Sequence, residues 1–330
     1  MKRKTAISVL LFALCMLALP VTTYAKKGGN GGGKPGGGGG GGEPPSGSYD
    51  AVLAYSTRNN KGEALYLANA DGSNAVKIAS IVSSGGTGFV AGSDSLIAVD
   101  DLNGDIWRYD FTASSSGITI NQSTSRLIDR SPWSIGSMDV SVDGSRIVWT
   151  EGLSGGGDDL KVMDLSSGTI TTVLVGGTGE GPLGYCIFLR DGSIVIERRR
   201  QGPEGNWDGP QYLERYFPGA GNTFINPVTI LEAETAPYFF SGFGRMDGSP
   251  INDTLLVVTD GGVTEYNYTA NAASLVMGGD FWVPQPYYLP SGTEALYVDG
   301  SLNKLDLTTQ STSTLVSVRT KVRIWGPSAR

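Results

Sequence analysis

The chain has 330 residues, a formal net charge of −7, 49 glycines, 17% charged residues and no histidine. Without histidine there is no Ser-His-Asp or Cys-His catalysis, no imidazole base and no histidine-ligated metal. Glycine at about twice its usual frequency, with plentiful β-branched and aromatic residues, predicts an all-β domain with many tight turns and excludes a helical bundle.

Met1–Ala25 reads as a secretory signal peptide. Lys2, Arg3 and Lys4 precede an apolar run, Ile7–Leu19, that is too short for a membrane span. Pro20 ends the run, and Thr23-Tyr24-Ala25 offers small residues for cleavage. Loss of the three basic residues takes the net charge from −7 to −10. So acidic a mature chain is not expected to bind nucleic acid through phosphates. No later stretch approaches the ~18 apolar residues of a membrane span. The expected location is periplasmic or extracellular, and a monomer is expected. Cys15 leaves with the signal. Cys186, inside the apolar run Gly184–Leu189, is expected to be a buried, inert thiol with no disulfide partner.

Residues 26–48, KKGGNGGGKPGGGGGGGEPPSGS, have no side chains that could build a core and are expected to form a disordered tether. Deleting them should move the melting midpoint by no more than about 1 °C, because changes outside packed structure stay within ~0.5 kcal/mol. Calorimetry of the trimmed chain checks this. A larger loss would show that the segment docks on the folded domain.

From Tyr49 onward short strands alternate with turn signals. Val140–Trp149 (VSVDGSRIVW) is the clearest copy of a repeat. Further copies run over Ile187–Ile196, from Gly242 to Ser249, and over Tyr288–Tyr297, with a degenerate one at Phe89–Val99. Gly144, Gly192, Gly248 and Gly292 mark a period of 48, 56 and 44 residues. A second motif recurs at Leu65–Asn74, Leu160–Gly168 and Leu302–Leu307. Units of this length with four strands each predict a β-propeller, whose blades bury their faces only against one another.

These segments resemble TolB-type propeller repeats, which are related to WD-type blades. The likeness is carried by LYLANADGSNAVKIA (Leu65–Ala79) and VSVDGSRIVWT (Val140–Thr150), and it extends from Tyr49 to about Trp325. It implies the fold and no particular activity. The separate N-terminal α/β domain of TolB has no counterpart in the residues before Tyr49, where the glycine-rich segment stands.

The first unit begins without an innermost strand, and Thr320–Pro327 reads as an isolated one. The prediction is therefore six four-stranded blades over residues 49–326, with a tail at 327–330. The blades fall at 51–80 with 320–326, 87–129, 135–175, 181–231, 236–276 and 281–316. The C-terminal strand completes blade one and closes the ring.

Ligands of propellers sit at the channel mouth, among loops that precede innermost strands and loops that join second to third strands. The longest such loop, Gln201–Gln211, follows Arg198, Arg199 and Arg200 and carries Trp207. Cations beside an aromatic residue suit a carboxylate, a sugar or a peptide end. Trp133 and Trp282 precede innermost strands and are candidates for the same rim. No cofactor and no metal are expected. Asp100–Asp105 starts like a calcium loop but lacks its glycine and glutamate, and Asn103-Gly104 predicts a hairpin instead. Any enzyme here would depend on carboxylates such as Glu151, Asp158, Asp159 and Glu180, the chemistry of glycoside hydrolysis. The expectation is a non-catalytic propeller that binds a protein or peptide of the cell envelope or exterior at its channel mouth. The alternative is a propeller that binds or cleaves carbohydrate.

Overall fold

The computed structural model describes residues 52–325 except 60–61, 70–71, 80–85, 101–103, 115–116, 129–134, 153–157, 177–181, 203–204, 206–208, 234–242, 260, 279–285, 299–300 and 318–321. The expected signal peptide, the glycine-rich segment and the tail at 327–330 lie outside the described residues.

The described residues form 24 strands in six antiparallel four-stranded sheets, and no helix occurs among them. Blade one holds β1 (Val52–Asn59), β2 (Gly62–Asn69) and β3 (Val76–Ala79). Blade two holds β4 (Thr87–Val90), β5 (Ser95–Asp100), β6 (Asp105–Ser114) and β7 (Gly117–Ile128). Blade three holds β8 (Ile135–Val140), β9 (Arg146–Gly152), β10 (Asp158–Asp164) and β11 (Ile170–Leu174). Blade four holds β12 (Leu183–Phe188), β13 (Ile194–Arg199), β14 (Gln211–Pro218) and β15 (Phe224–Glu232). Blade five holds β16 (Phe243–Gly248), β17 (Thr254–Thr259), β18 (Gly262–Asn267) and β19 (Ala272–Gly278). Blade six holds β20 (Tyr287–Tyr288), β21 (Glu294–Val298), β22 (Ser301–Asp306) and β23 (Thr312–Ser317). The last strand, β24 (Val322–Trp325), pairs antiparallel with β1, from Ala54 opposite Trp325 to Thr57 opposite Val322. The C-terminal strand is thus the innermost strand of blade one, as predicted.

The second strand of each blade reads as a nearly continuous apolar run because both its faces are buried. Side chains alternate across a strand, so neighbours serve different blades. Ile147 and Trp149 pack toward blade two, and Val148 between them packs toward blade four. Leu255 and Val257 face blade four, while Leu256 faces blade six. On β1, Val52 and Ala54 meet blade two, and Leu53 and Tyr55 meet blade six. Six such apolar layers join each blade to the next all the way round. No blade could bury both faces alone.

The repeat motif is explained by its turn. The Ser141 N–H donates to Arg146 O across the turn (2.9 Å), and Asp143 Oδ1 accepts the Ser145 N–H (3.0 Å). Asp191 Oδ1 accepts the Ser193 N–H in the same way (3.0 Å). Gly144 holds φ +70°, and a Cβ there would meet the backbone of Ala91 in blade two at 2.7 Å. Glycine is required on both counts. One register expectation changes. Gly248 lies inside β16, opposite Leu255, and the blade-five turn runs from Ser249 to Thr254, whose N–H···O bond (2.9 Å) matches that of Ser141 and Arg146. The Asp-Gly-Ser triplet of blade five therefore sits about four residues earlier in its blade than the one at Asp143. The Asp100–Asp105 segment is a hairpin, with Asp100 paired to Asp105 and Gly104 at φ +66°.

Candidate binding channel

An innermost strand pairs on one side only, and its other edge faces the axis. Backbone groups on that edge need partners. Polar side chains from the preceding blade supply some of them. Asp139 Oδ2 in blade three accepts the Phe188 N–H of blade four (2.7 Å). Asp247 Oδ2 in blade five accepts the Tyr288 N–H of blade six (2.7 Å). Ser137 Oγ accepts the Cys186 N–H (3.2 Å), and the Cys186 thiol lies 3.8 Å from Ser137 O. Asp139 and Asp247 hold the same place in their strands, two residues before Ser141 and Ser249.

Both carboxyls are held in low-polarity surroundings. Burial pushes Asp139 up to about 7, against two stabilising backbone N–H bonds. Asp247 is pushed well above the usual carboxylate range, by burial first and by the Asp139 charge second. Burial also pushes the Cys186 thiol up to about 12, so it is the buried, unreactive thiol expected from its sequence context.

Among the described residues, a larger and a smaller cavity lie on the axis. The larger, about 120 Å³, opens toward the turns that follow the innermost strands, at Ala91, Val142, Pro250 and Pro290. The smaller, about 30 Å³, lies toward the strand starts, at Ser137, Tyr185 and Arg245. Thr87, Asp139, Asp247 and Tyr287 border both. The Arg245 guanidinium stands 5.2 Å from the centre of the Tyr185 ring. Each cavity exceeds the ~15 Å³ that a single water needs.

The predicted arginine cluster divides. Arg198 is mostly buried, ion-paired to Glu214 (2.8 Å) and set near the Tyr212 face. It belongs to blade packing. Arg200 is exposed but engaged by Glu232 (2.5 Å) and lies over the Tyr212 ring at 4.6 Å. Arg199 is exposed and makes no hydrogen bond or ion pair among the described residues; burial pushes the neighbouring Glu197 carboxyl up to about 7, and the Arg199 charge offsets only part of that rise. Arg198 pairs in register with Leu183 at the start of β12, so this run sits at the strand-start end of the channel. Trp207, Trp133 and Trp282 lie outside the described residues.

The carboxylates suggested for hydrolysis are otherwise engaged. Glu151 is paired with Lys161, which also lies 3.7 Å from Asp159. Asp158 accepts the Leu183 N–H (2.9 Å) and Asp159 accepts the Gly176 N–H (2.8 Å). Glu180 lies outside the described residues. The axial residues Thr87, Asp139 and Asp247 were missed. The available signal was a carboxylate placed inside an innermost strand, in IGSMDV and FGRMDG.

No family model and no curated protein matches the sequence. Among solved structures, TolB from Acinetobacter baumannii superposes with a TM-score of 0.63 at 16% identity, over 85% of this chain and 68% of that one. A chain of the nidogen/laminin complex superposes with a TM-score of 0.58 at 13% identity, over 85% of this chain and 98% of that one. At such identities the likeness establishes the fold alone. The chain folds as a six-bladed β-propeller, similar in fold to the propeller of TolB and closed by its own C-terminal strand.

Proposed function

We propose that this protein is an exported, non-catalytic propeller that receives a protein or peptide at the strand-start end of its channel. The observation that carries the reading is the division of the arginine run. Arg198 and Arg200 are committed to Glu214 and Glu232, while Arg199 stands exposed between them. A guanidinium at the strand-start end with no hydrogen-bonded carboxylate among the described residues suits a partner's carboxylate or peptide end. One structural neighbour is a component of a nidogen/laminin complex, which supports a protein partner over a glycan. Of the acids suggested for glycoside hydrolysis, Glu151, Asp158 and Asp159 are tied up in pairs and backbone bonds, which disfavours cleavage of a carbohydrate.

The test begins with capture of partners from envelope extract by the mature chain, followed by titration against variants. Arg199→Ala should leave stability within ~0.5 kcal/mol and weaken partner binding by about thirtyfold, the loss of a ~2 kcal/mol anchor. Arg198→Ala should instead lower stability by about 2 kcal/mol, because it strands the Glu214 carboxylate in blade packing. Trp207→Ala is expected to act like Arg199→Ala. Unchanged affinity in both rim variants would move the site away from this loop.

A further inference from the structure

We propose that the channel axis between Asp139 and Asp247 is a binding site for one primary ammonium group, such as the end of a lysine side chain entering from a partner. The inference goes beyond the protein-binding reading above, which concerns the strand-start end: the pair is reached through the wider cavity at the turn end, and the lysine comes from a partner segment at that opposite mouth. The site itself is argued from the axis alone.

Three residues that carry acceptors border the same space. Asp139 and Asp247 come from blades three and five, and both border the two axial cavities. Each commits Oδ2 to a backbone N–H of the next blade, which fixes the carboxylate. The third acceptor is Thr87 from blade two, which also borders both cavities. Its side chain is 5% exposed, and its hydroxyl is buried without any hydrogen-bond partner. A buried hydroxyl left unmatched is costly, so such a group calls for a ligand or an ordered water.

The chemistry favours an ammonium over other cations. An ammonium carries three N–H donors and no acceptor, which matches two carboxylates and one hydroxyl. Calcium requires six to eight oxygen ligands, and no group of three or more carboxylate or thiol ligands occurs among the described residues. A guanidinium is larger and flat, and Arg245 already occupies the narrow end, beside Tyr185. The other groups facing the pair are the phenols Tyr287 and Tyr288 and the thiol Cys186, all pushed up by burial and so uncharged at neutral pH. They add no charge; the Arg245 guanidinium, which borders the smaller cavity together with both carboxyls, is a cation that competes there, so the ammonium is placed in the wider cavity. Two acids sharing a desolvated site hold a proton that a cation can replace, so binding should weaken below about pH 7, where Asp139 takes up its proton.

The probe is n-butylamine hydrochloride, whose four carbons and ammonium reproduce a lysine side chain, titrated calorimetrically into the full mature chain at pH 8. 1-Butanol and calcium chloride are run alongside. The expected result is saturable millimolar binding of n-butylammonium and none of butanol. Asp139→Asn and Asp247→Asn, whose side-chain oxygens can still accept the Phe188 and Tyr288 N–H groups, should each weaken it by tenfold or more. Thr87→Val should weaken it about threefold, and Arg199→Ala should leave it unchanged. No saturable binding, or equal binding by Asp139→Asn, overturns the proposal, as does tighter binding of calcium lost in the same variants. Amine binding without any captured partner would overturn the protein-binding reading while leaving the site standing.

Discussion

Deletion of residues 320–330 is expected to open the ring and abolish the single cooperative melt. The deletion removes β24 and with it the four register pairs to β1. Backbone pairing of that extent is worth on the order of 4 kcal/mol, a large share of the ~5–15 kcal/mol that holds a domain together. The damage does not stop at blade one. Leu53 and Tyr55 of β1 pack against Leu289 and Leu296 of blade six, and Val52 and Ala54 pack against Leu96 of blade two. If β1 loosens, two of the six inter-blade layers lose their anchor, and β1 presents an unpaired apolar edge. Such edges aggregate. Size-exclusion chromatography and calorimetry of the truncated chain decide the matter. A monomeric peak with an undiminished, single transition would mean that closure does not depend on the terminal strand.

The reasons why closure was legible and the channel was not are physical. Blade phase is written in local signals: a turn with Asp or Ser beside Gly, and a buried second strand with apolar residues on both faces. These depend on neighbours a few residues away, so they survive in a lone sequence. Gly248 shows the limit, since an Asp-Gly-Ser triplet inside a strand mimics the turn triplet at Asp143 until the pairing with Leu255 places it. The arginine run shows another. Whether Arg198, Arg199 or Arg200 is available is decided by Glu214 and Glu232, which arrive on other strands of the same blade. Asp139 and Asp247 are 108 positions apart in the chain. Their shared surroundings exist only because the ring brings blades three and five to one axis.

Stability is expected to peak on the acid side of neutrality and to fall as pH rises from about 4 to about 7. The cause is a set of carboxyls whose native pKa lies above the unfolded value. Burial pushes Asp139 and Glu197 up to about 7, and Asp247 rises for the same reason. Between the unfolded value near 4 and the native value, the unfolded chain has released these protons and the native protein still holds them. The native state then binds more protons, so its stability declines with rising pH across that window and levels off above it. One pKa unit corresponds to ~1.4 kcal/mol. After allowance for its partial exposure, Asp139 alone accounts for on the order of 2 kcal/mol. Other acids act in the opposite sense and set the lower flank. Hydrogen bonds from Ser166 and Ser167 hold Asp164 down to about 2, the Arg200 guanidinium lowers Glu232, and turn hydrogen bonds from Thr309 and Thr308 lower Asp306. Their contribution is present above pH ~4 and is lost as pH falls toward the native values. Melting curves from pH 3 to pH 9 should therefore show a maximum near pH 5. General repulsion in an acidic chain would also weaken the fold at high pH, so variants are needed to separate the two causes. Asp139→Asn and Glu197→Gln each remove one charge, but only specific burial predicts that either will raise the pH 8 melt more than removal of an acid in the glycine-rich segment by Glu43→Gln. Equal effects at the three positions would assign the decline to net charge. A rise in stability from pH 5 to pH 8 would contradict the buried carboxyls altogether. Addition of n-butylammonium at pH 8 should recover part of the loss in the wild-type chain and none in Asp139→Asn, because a bound cation replaces the proton that the axial pair gives up.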